Sequence, residues 1–203
     1  VAEIGIESAR ADAQHNRRAI LVAAREAARG DGEIWLDRIA QSAGVSARTL
    51  YRHFPTKDDL IAGVLEDYFA EHVEQIHRRA EAETDARRAL ETVLASAVGA
   101  FAEYPGILAL VNRNARAGEI AGRYLRSFGE VLSRAQQVGA VRADLQLDEL
   151  PCLVTMLVAV AGTTGERWTR YLELLLDGLS PVAARAPLPD SGVAHGHPVQ
   201  PSN

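Results

Sequence analysis

The chain of 203 residues has one cysteine, one methionine, two tryptophans and one lysine. A single thiol, Cys152, cannot close a disulfide within the chain, which excludes a disulfide-stapled scaffold. Set in an apolar stretch, Cys152 is expected to be a buried small hydrophobe. Strand-like alternation is nearly absent, so sheet-based folds are excluded with it. There is no P-loop and no G-x-G-x-x-G. Ser42, Ser46 and Ser127 have no accompanying base motif, and the acidic residues are scattered on polar faces. His72 and His77 are five apart, which is not the i, i+4 spacing of a helical metal pair. His195 and His197 could be incidental metal binders. No catalytic centre, cofactor or metal site is therefore expected. The longest apolar run, Leu150 to Val160, is short for a bilayer span and contains Pro151. Nothing at the N-terminus resembles a signal peptide, so no membrane partner and a cytoplasmic location are expected.

What is present is a globular composition, 47% hydrophobic, with an uneven charge. The formal net charge is −5. Between Arg10 and Lys57, however, nine basic side chains face five acidic ones, while residues 58–203 carry 13 basic and 20 acidic groups. A basic head on an acidic body suits a DNA reader joined to a domain with another task.

The segment Leu36 to Asp59 gives the head a shape. Leu36, Ile39, Ala40 and Ala43 share one helical face, and Ala40 is small where two helices must cross. Gly44 can take the positive φ of a helix exit. Val45 points inward, Ser46 is a good N-cap, and Leu50 and Phe54 continue the inner face. Pro55 prevents further helix, so the second helix spans about Ala47 to His53. Its outward face offers Arg48, Thr49, Tyr51, Arg52 and His53, all able to bond bases or phosphates. Thr56 and Asp59 form a capping-box-like pair at the start of a long helix. Lys57, beside free N–H groups there, suits a phosphate; Asp58 and Asp59 equally make this a solvated, capped turn.

The stretch IAQSAGVSARTLYRHFPTKDDLI resembles the N-terminal DNA-binding domain of the TetR family of bacterial transcriptional regulators. The small-residue helix, the AGVS turn, the T-L-Y-x-H-F segment and the Pro-x-Lys all match in order and spacing, and the likeness covers about Asn16 to Val73. It implies that Ser46, Ala47, Arg48, Thr49, Tyr51, Arg52, His53 and Lys57 form the DNA-contacting surface. Arg48 departs from the family's commoner small residue, and could read a guanine or hold a phosphate.

The remainder is helical. A first helix is expected over Asn16–Arg29, ended by Gly30 and Gly32, with Ile20, Leu21, Ala24 and Ala27/Ala28 inward. Lys57 to about Ala80 should be a helix about 36 Å long, enough to serve both halves of the protein. Further helices are expected over Arg87–Glu103, Ile107–Asn114, Glu119–Val138, Leu147–Ala161 and Glu166–Leu179. The expectation is an all-α protein of about nine helices: a helix-turn-helix DNA-binding domain over residues 10–56, a helical ligand-binding and dimerisation domain over 57–180, and a flexible tail over 181–203.

Leu153, Val154, Leu157, Val158, Trp168, Tyr171, Leu172 and Leu175 make the last two helices apolar on more than one face. They are either fully buried core helices or a homodimer face, and the resemblance implies the second. The resemblance also implies a pocket for an unknown small, largely apolar ligand, with Leu65, Phe69, Phe101, Tyr104, Leu108, Val111, Asn112, Tyr124, Phe128, Thr155 and Met156 as candidates. For any one of them taken singly, ordinary core packing is the better account. The function that the resemblance implies is a regulator, expected to be a repressor, that binds a palindromic operator as a homodimer and answers to a small effector. The alternatives are an effector-independent DNA-binding dimer and an enzyme on a helical scaffold.

Overall fold

The computed structural model describes residues 2–30 and 33–189, with side chains from Arg10 onward. The described residues form ten α-helices, joined in places by short 3₁₀ turns, and no strand. The helices are α1 (Ala2–Ala27), α2 (Leu36–Ser42), α3 (Ala47–His53), α4 (Lys57–Ala82), α5 (Ala86–Glu103), α6 (Pro105–Arg113), α7 (Ala115–Leu125), α8 (Gly129–Gln137), α9 (Leu150–Thr164) and α10 (Trp168–Gly178).

Local chemistry accounts for most of the boundaries. After α2, Gly44 adopts φ +67°. Its N–H donates to Gln41 O at 3.1 Å and the N–H of Val45 to Ala40 O at 3.0 Å, a Schellman closure. Ser46 caps α3 by accepting from the N–H of Thr49 at 3.1 Å. Thr56 and Asp59 form a complete capping box at α4. Pro105 opens α6, which meets α5 at 97°.

Several sequence-based boundaries are corrected. α1 begins well before Asn16, because the residues ahead of it, with four alanines and two glutamates, include strong helix formers although they carry no sustained apolar stripe. Ala28 is buried but Ala27 is exposed. Gly32 lies outside the described residues, as do His195 and His197. The single helix expected over Glu119–Val138 is two. α7 starts earlier, where the Asn114 side chain accepts from the N–H of Ala117 at 3.1 Å. It ends in a 3₁₀ turn at Arg126–Phe128, where the Ser127 hydroxyl donates to Tyr124 O at 2.7 Å and competes with the helix ladder. Cys152 is exposed, because α9 turns the edge bearing it away from the protein's own core. The segment expected to be a loose tail is held as far as Leu188: Asp144 accepts the N–H of Leu188 at 2.8 Å and Arg142 donates to Ala186 O at 2.9 Å.

One core joins α1, α2, α3 and the first half of α4 to Tyr104, Ile107 and Leu110 of the α6 region and to Ala117 and Ile120 of α7. A second joins α5, α8, α9 and α10. The long α4 runs through the first and reaches a third, small cluster through Ile76 and Ala80. Gly63 sits where α4 meets α1 and the end of α3; a Cβ there would lie 2.8 Å from Phe54 Cε1 and 3.2 Å from Leu21 Cδ2.

The helical run Leu147–Gly178 has, by length and composition, the character of a membrane span. Gly165, at φ +56°, ends α9 after 15 residues. At about 1.5 Å per residue α9 falls short of a hydrocarbon core of about 30 Å.

Candidate nucleic-acid interface and apolar cavity

α3 is fixed from beneath by Leu50, fully buried, and by Phe54 at its C-terminal end. Its opposite face carries Arg48, Tyr51 and Arg52 into solvent, with Ala47 and Ser46 exposed at its start. Thr49 is only half exposed, and its hydroxyl shares a 2.9 Å hydrogen bond with that of Ser46. His53 departs from the outward face expected of it. It is half-buried, its Nε2 is closed off from solvent and has no hydrogen-bond partner. Burial first, then the charges of Arg52 and Arg17, holds its pKa below the usual histidine value. Arg17, which the motif did not single out, lies over the Phe54 ring at 5.4 Å. Its signal was present in the basic run Arg17-Arg18, one turn before the apolar stripe of α1.

Lys57 is exposed at the start of α4. Both neighbouring carboxylates are engaged by the protein itself. Asp58 accepts from Asn114 at 3.3 Å, and Asp59 bonds Thr56 and pairs with Arg116 at 3.2 Å. The hydrogen bonds from Thr56 and Arg116 hold the Asp59 carboxyl below the usual carboxylate range. Among the described residues the Lys57 ammonium has no partner, so the exposed end of α4 presents a cation beside a helix N-terminus, an arrangement that attracts anions.

A cavity of about 120 Å³ lies between α4, α5, α6, α7 and α9. Phe69, Phe101, Leu108, Val111, Asn112, Tyr124, Phe128 and Thr155 line it, all named from the sequence. Leu65 and Tyr104 do not: both are buried in the core shared with the head. Met156 is 59% exposed on the far side of α9. Periodicity missed other wall residues. Tyr68 and His72 come from α4, Leu94, Ala97 and Ala100 from α5, and Val154 from α9. The small α5 residues gave no signal, because a missing side chain is visible only once the facing helices are placed. Tyr68 is 1% exposed, its hydroxyl lacks a partner, and burial pushes its pKa far above the usual phenol value.

The α6–α7 wall also holds the head. The N–H of Gly106 donates to Ala28 O at 2.9 Å, Asn114 and Arg116 bind Asp58 and Asp59, and Arg123 pairs with Glu66 of α4. Arg29, from the end of α1, bonds Glu103 at 2.8 Å and the Tyr104 hydroxyl at 2.9 Å. Among the described residues no cluster of three or more His, Cys, Asp or Glu side chains is placed to hold a metal.

Two family models cover nearly all of this architecture. "Bacterial regulatory proteins, tetR family" matches residues 20–64, and "Transcriptional regulator SbtR-like, C-terminal domain" matches residues 62–181. A crystal structure of a TetR transcription regulatory protein from Mycobacterium vanbaalenii is 32% identical, with 84% of this chain and 98% of that one covered at a TM-score of 0.56. The chain belongs to the TetR family of bacterial transcriptional regulators. It is a DNA-binding regulator and not an enzyme, in a family whose members dimerise and bind small molecules. The fold is also that of FadR from Bacillus subtilis, crystallised with stearoyl-CoA, at 17% identity, 83% and 97% coverage and a TM-score of 0.61. Among curated proteins the chain resembles the nucleoid occlusion factor SlmA of Marinomonas sp. (strain MWYL1), 26% identical over 133 residues, which are 61% of this chain and 67% of that one. SlmA of Vibrio vulnificus (strain YJ016) is 34% identical over 91 residues, 44% and 46% of the two chains. The chain thus spans between about half and two thirds of these curated relatives.

Within this TetR-family chain the expected dimer residues divide. Val154, Leu157 and Leu172 are buried in the subunit's own core, so they cannot form the outer face assigned to them. Leu153, Val158, Trp168 and Leu175 are half-buried, and Tyr171 is exposed. Tyr171 shares the exposed edge of α9 and α10 with Cys152, Met156, Ala159 and Leu174, which helix periodicity assigns otherwise or passes over.

Proposed function

We propose that this chain is a repressor that binds a palindromic operator as a homodimer and leaves it when a small molecule fills the cavity. The observation that carries this reading is that α6 and α7 both wall the cavity and grip the N-terminal end of α4, next to the recognition helix α3. A ligand that moves that wall moves Asp58 and Asp59, and with them the spacing between the two copies of α3. A hundredfold loss of operator affinity requires about 2.7 kcal/mol of preference for the released state. Arg48, Tyr51 and Arg52 meet base edges and the adjoining backbone, and Lys57 holds a phosphate. This work would be done at the chromosome, in the cytoplasm.

Dimerisation is supported by the last helices. The most apolar window of Leu147–Gly178 is only 17% buried within one subunit. Two copies of α9 and α10, packed as a four-helix bundle, would cover it. One short recognition helix supplies little affinity, and a symmetric pair reads two half-sites.

The test is operator binding by the full chain with and without a ligand shown by calorimetry to occupy the cavity. The reading expects weaker operator binding with ligand. Unchanged affinity would favour a dimer controlled by its own concentration.

A further inference from the structure

The cavity is selective by what its wall lacks. None of its lining residues is Asp, Glu, Lys or Arg. Glu66, which meets the wall from behind, is ion-paired with Arg123 and accepts the Tyr124 hydroxyl at 3.0 Å. An ammonium entering the cavity would meet no carboxylate, and a carboxylate would meet no Lys or Arg, only the His72 imidazole, whose Nδ1 is already engaged with Tyr68 O; low-dielectric surroundings penalise either charge heavily.

Size narrows the choice again. A cavity of about 120 Å³ is close to the roughly 150 Å³ that accepts benzene or xenon. A long acyl chain does not fit it. The wall is also rich in rings: Tyr68, Phe69, His72, Phe101, Tyr124 and Phe128. Phe69 meets Tyr68 edge-on at 5.5 Å and Tyr124 face-on at 5.5 Å. Such mixed orientations present both π-faces and ring edges to a guest, the complement of another aromatic ring.

The polar capacity of the wall is small. Thr155 donates to Pro151 O at 2.8 Å, and His72 Nδ1 is engaged with Tyr68 O at 2.8 Å. The Asn112 side chain, exposed where the cavity wall meets solvent, has no hydrogen bond among the described residues, and the Tyr68 hydroxyl is closed off without a partner. We infer that the effector is a small uncharged aromatic compound, one ring or two fused rings bearing a single hydrogen-bonding group. This rests on the cavity being the effector site, as proposed above.

The test is calorimetric titration of the full chain, without DNA, using indole, benzoate and stearoyl-CoA at neutral pH. Indole is expected to bind at least tenfold more tightly than either anion and to raise the melting temperature. Toluene is expected to displace it. Ala97→Phe and Ala121→Phe, which fill the cavity from opposite walls, are expected to abolish indole binding while keeping native helicity. Asn112→Leu is expected to weaken indole several-fold and leave toluene unchanged. Benzoate or stearoyl-CoA binding as tightly as indole would overturn the inference. So would failure of both indole and toluene to saturate the native chain, or undiminished indole binding in a folded Ala97→Phe variant. Operator affinity is measured separately: indole that binds the cavity but leaves DNA binding unchanged would refute the effector role and leave the ligand class standing.

Discussion

Arg48, in the first turn of α3, and Lys57, the first residue of α4, are both exposed, and different tasks are proposed for them. Arg48 occupies the first turn of α3, the part of a recognition helix that meets base edges. Arg48→Ala is expected to weaken operator binding by about 1–3 kcal/mol and to relax preference at one base position, read by competition among single-base operator variants. Lys57→Ala should instead weaken all sequences alike and make the salt slope shallower by about one unit. A shallower slope with unchanged base preference in Arg48→Ala would assign Arg48 to a phosphate. His53 behaves differently again. Its pKa in the fold is below the unfolded value of about 6.5, so in acid the unfolded chain takes up a proton that the fold resists. Stability contributed by the neutral imidazole is therefore present above about pH 6.5 and lost as pH falls through the lowered value. His53→Gln is expected to flatten that part of the stability profile, measured by denaturant titration between pH 5 and 7.

The elements were legible in the sequence to the extent that side chains announce their own backbone. Gly44, Ser46, Pro55 and the Thr56–Asp59 box act within a few residues of themselves, and each does what its chemistry implies. The contact made by Gly63 is of another kind. In the sequence it is only a small residue between Ala62 and Val64, and its reason lies in Phe54 and Leu21, outside α4. Gly63→Ala must displace the Phe54 ring, and through it the end of α3. It is expected to cost about 1–3 kcal/mol of stability and to weaken operator binding, read by denaturation and by titration with operator DNA. Unchanged stability would mean that Phe54 relaxes freely. The break between α7 and α8 was not legible because Ile120, Val131 and Leu132 keep helical spacing across it, while the Ser127 back-bond that marks it is local and weak. Cys152 and Met156 were misplaced for a related reason. α9 is apolar around most of its circumference, so periodicity cannot say which side is inside.

At the scale of the whole molecule, head and body are not separate units joined by a linker. The core that seats Leu50 also contains Ile107 and Ile120, and the N-terminal end of α4 is tied to α7 by Asp59–Arg116. Under the proposed function, this continuity would let occupation of a cavity in the body influence where the two copies of α3 lie. It also makes the pairing of subunits decisive. Leu174, 58% exposed, lies on the face assigned to the partner. Leu174→Glu is expected to yield a folded monomer in sedimentation equilibrium and to abolish tight operator binding; a variant that remains dimeric would move the interface elsewhere. The most direct measurement is selection of bound sequences from a pool of random DNA duplexes with the full chain. The account predicts enrichment of an inverted repeat whose half-sites are centred about 10–10.5 base pairs apart, or a multiple of that. Recovery of a single unrepeated site, or no enrichment over the starting pool, would contradict it.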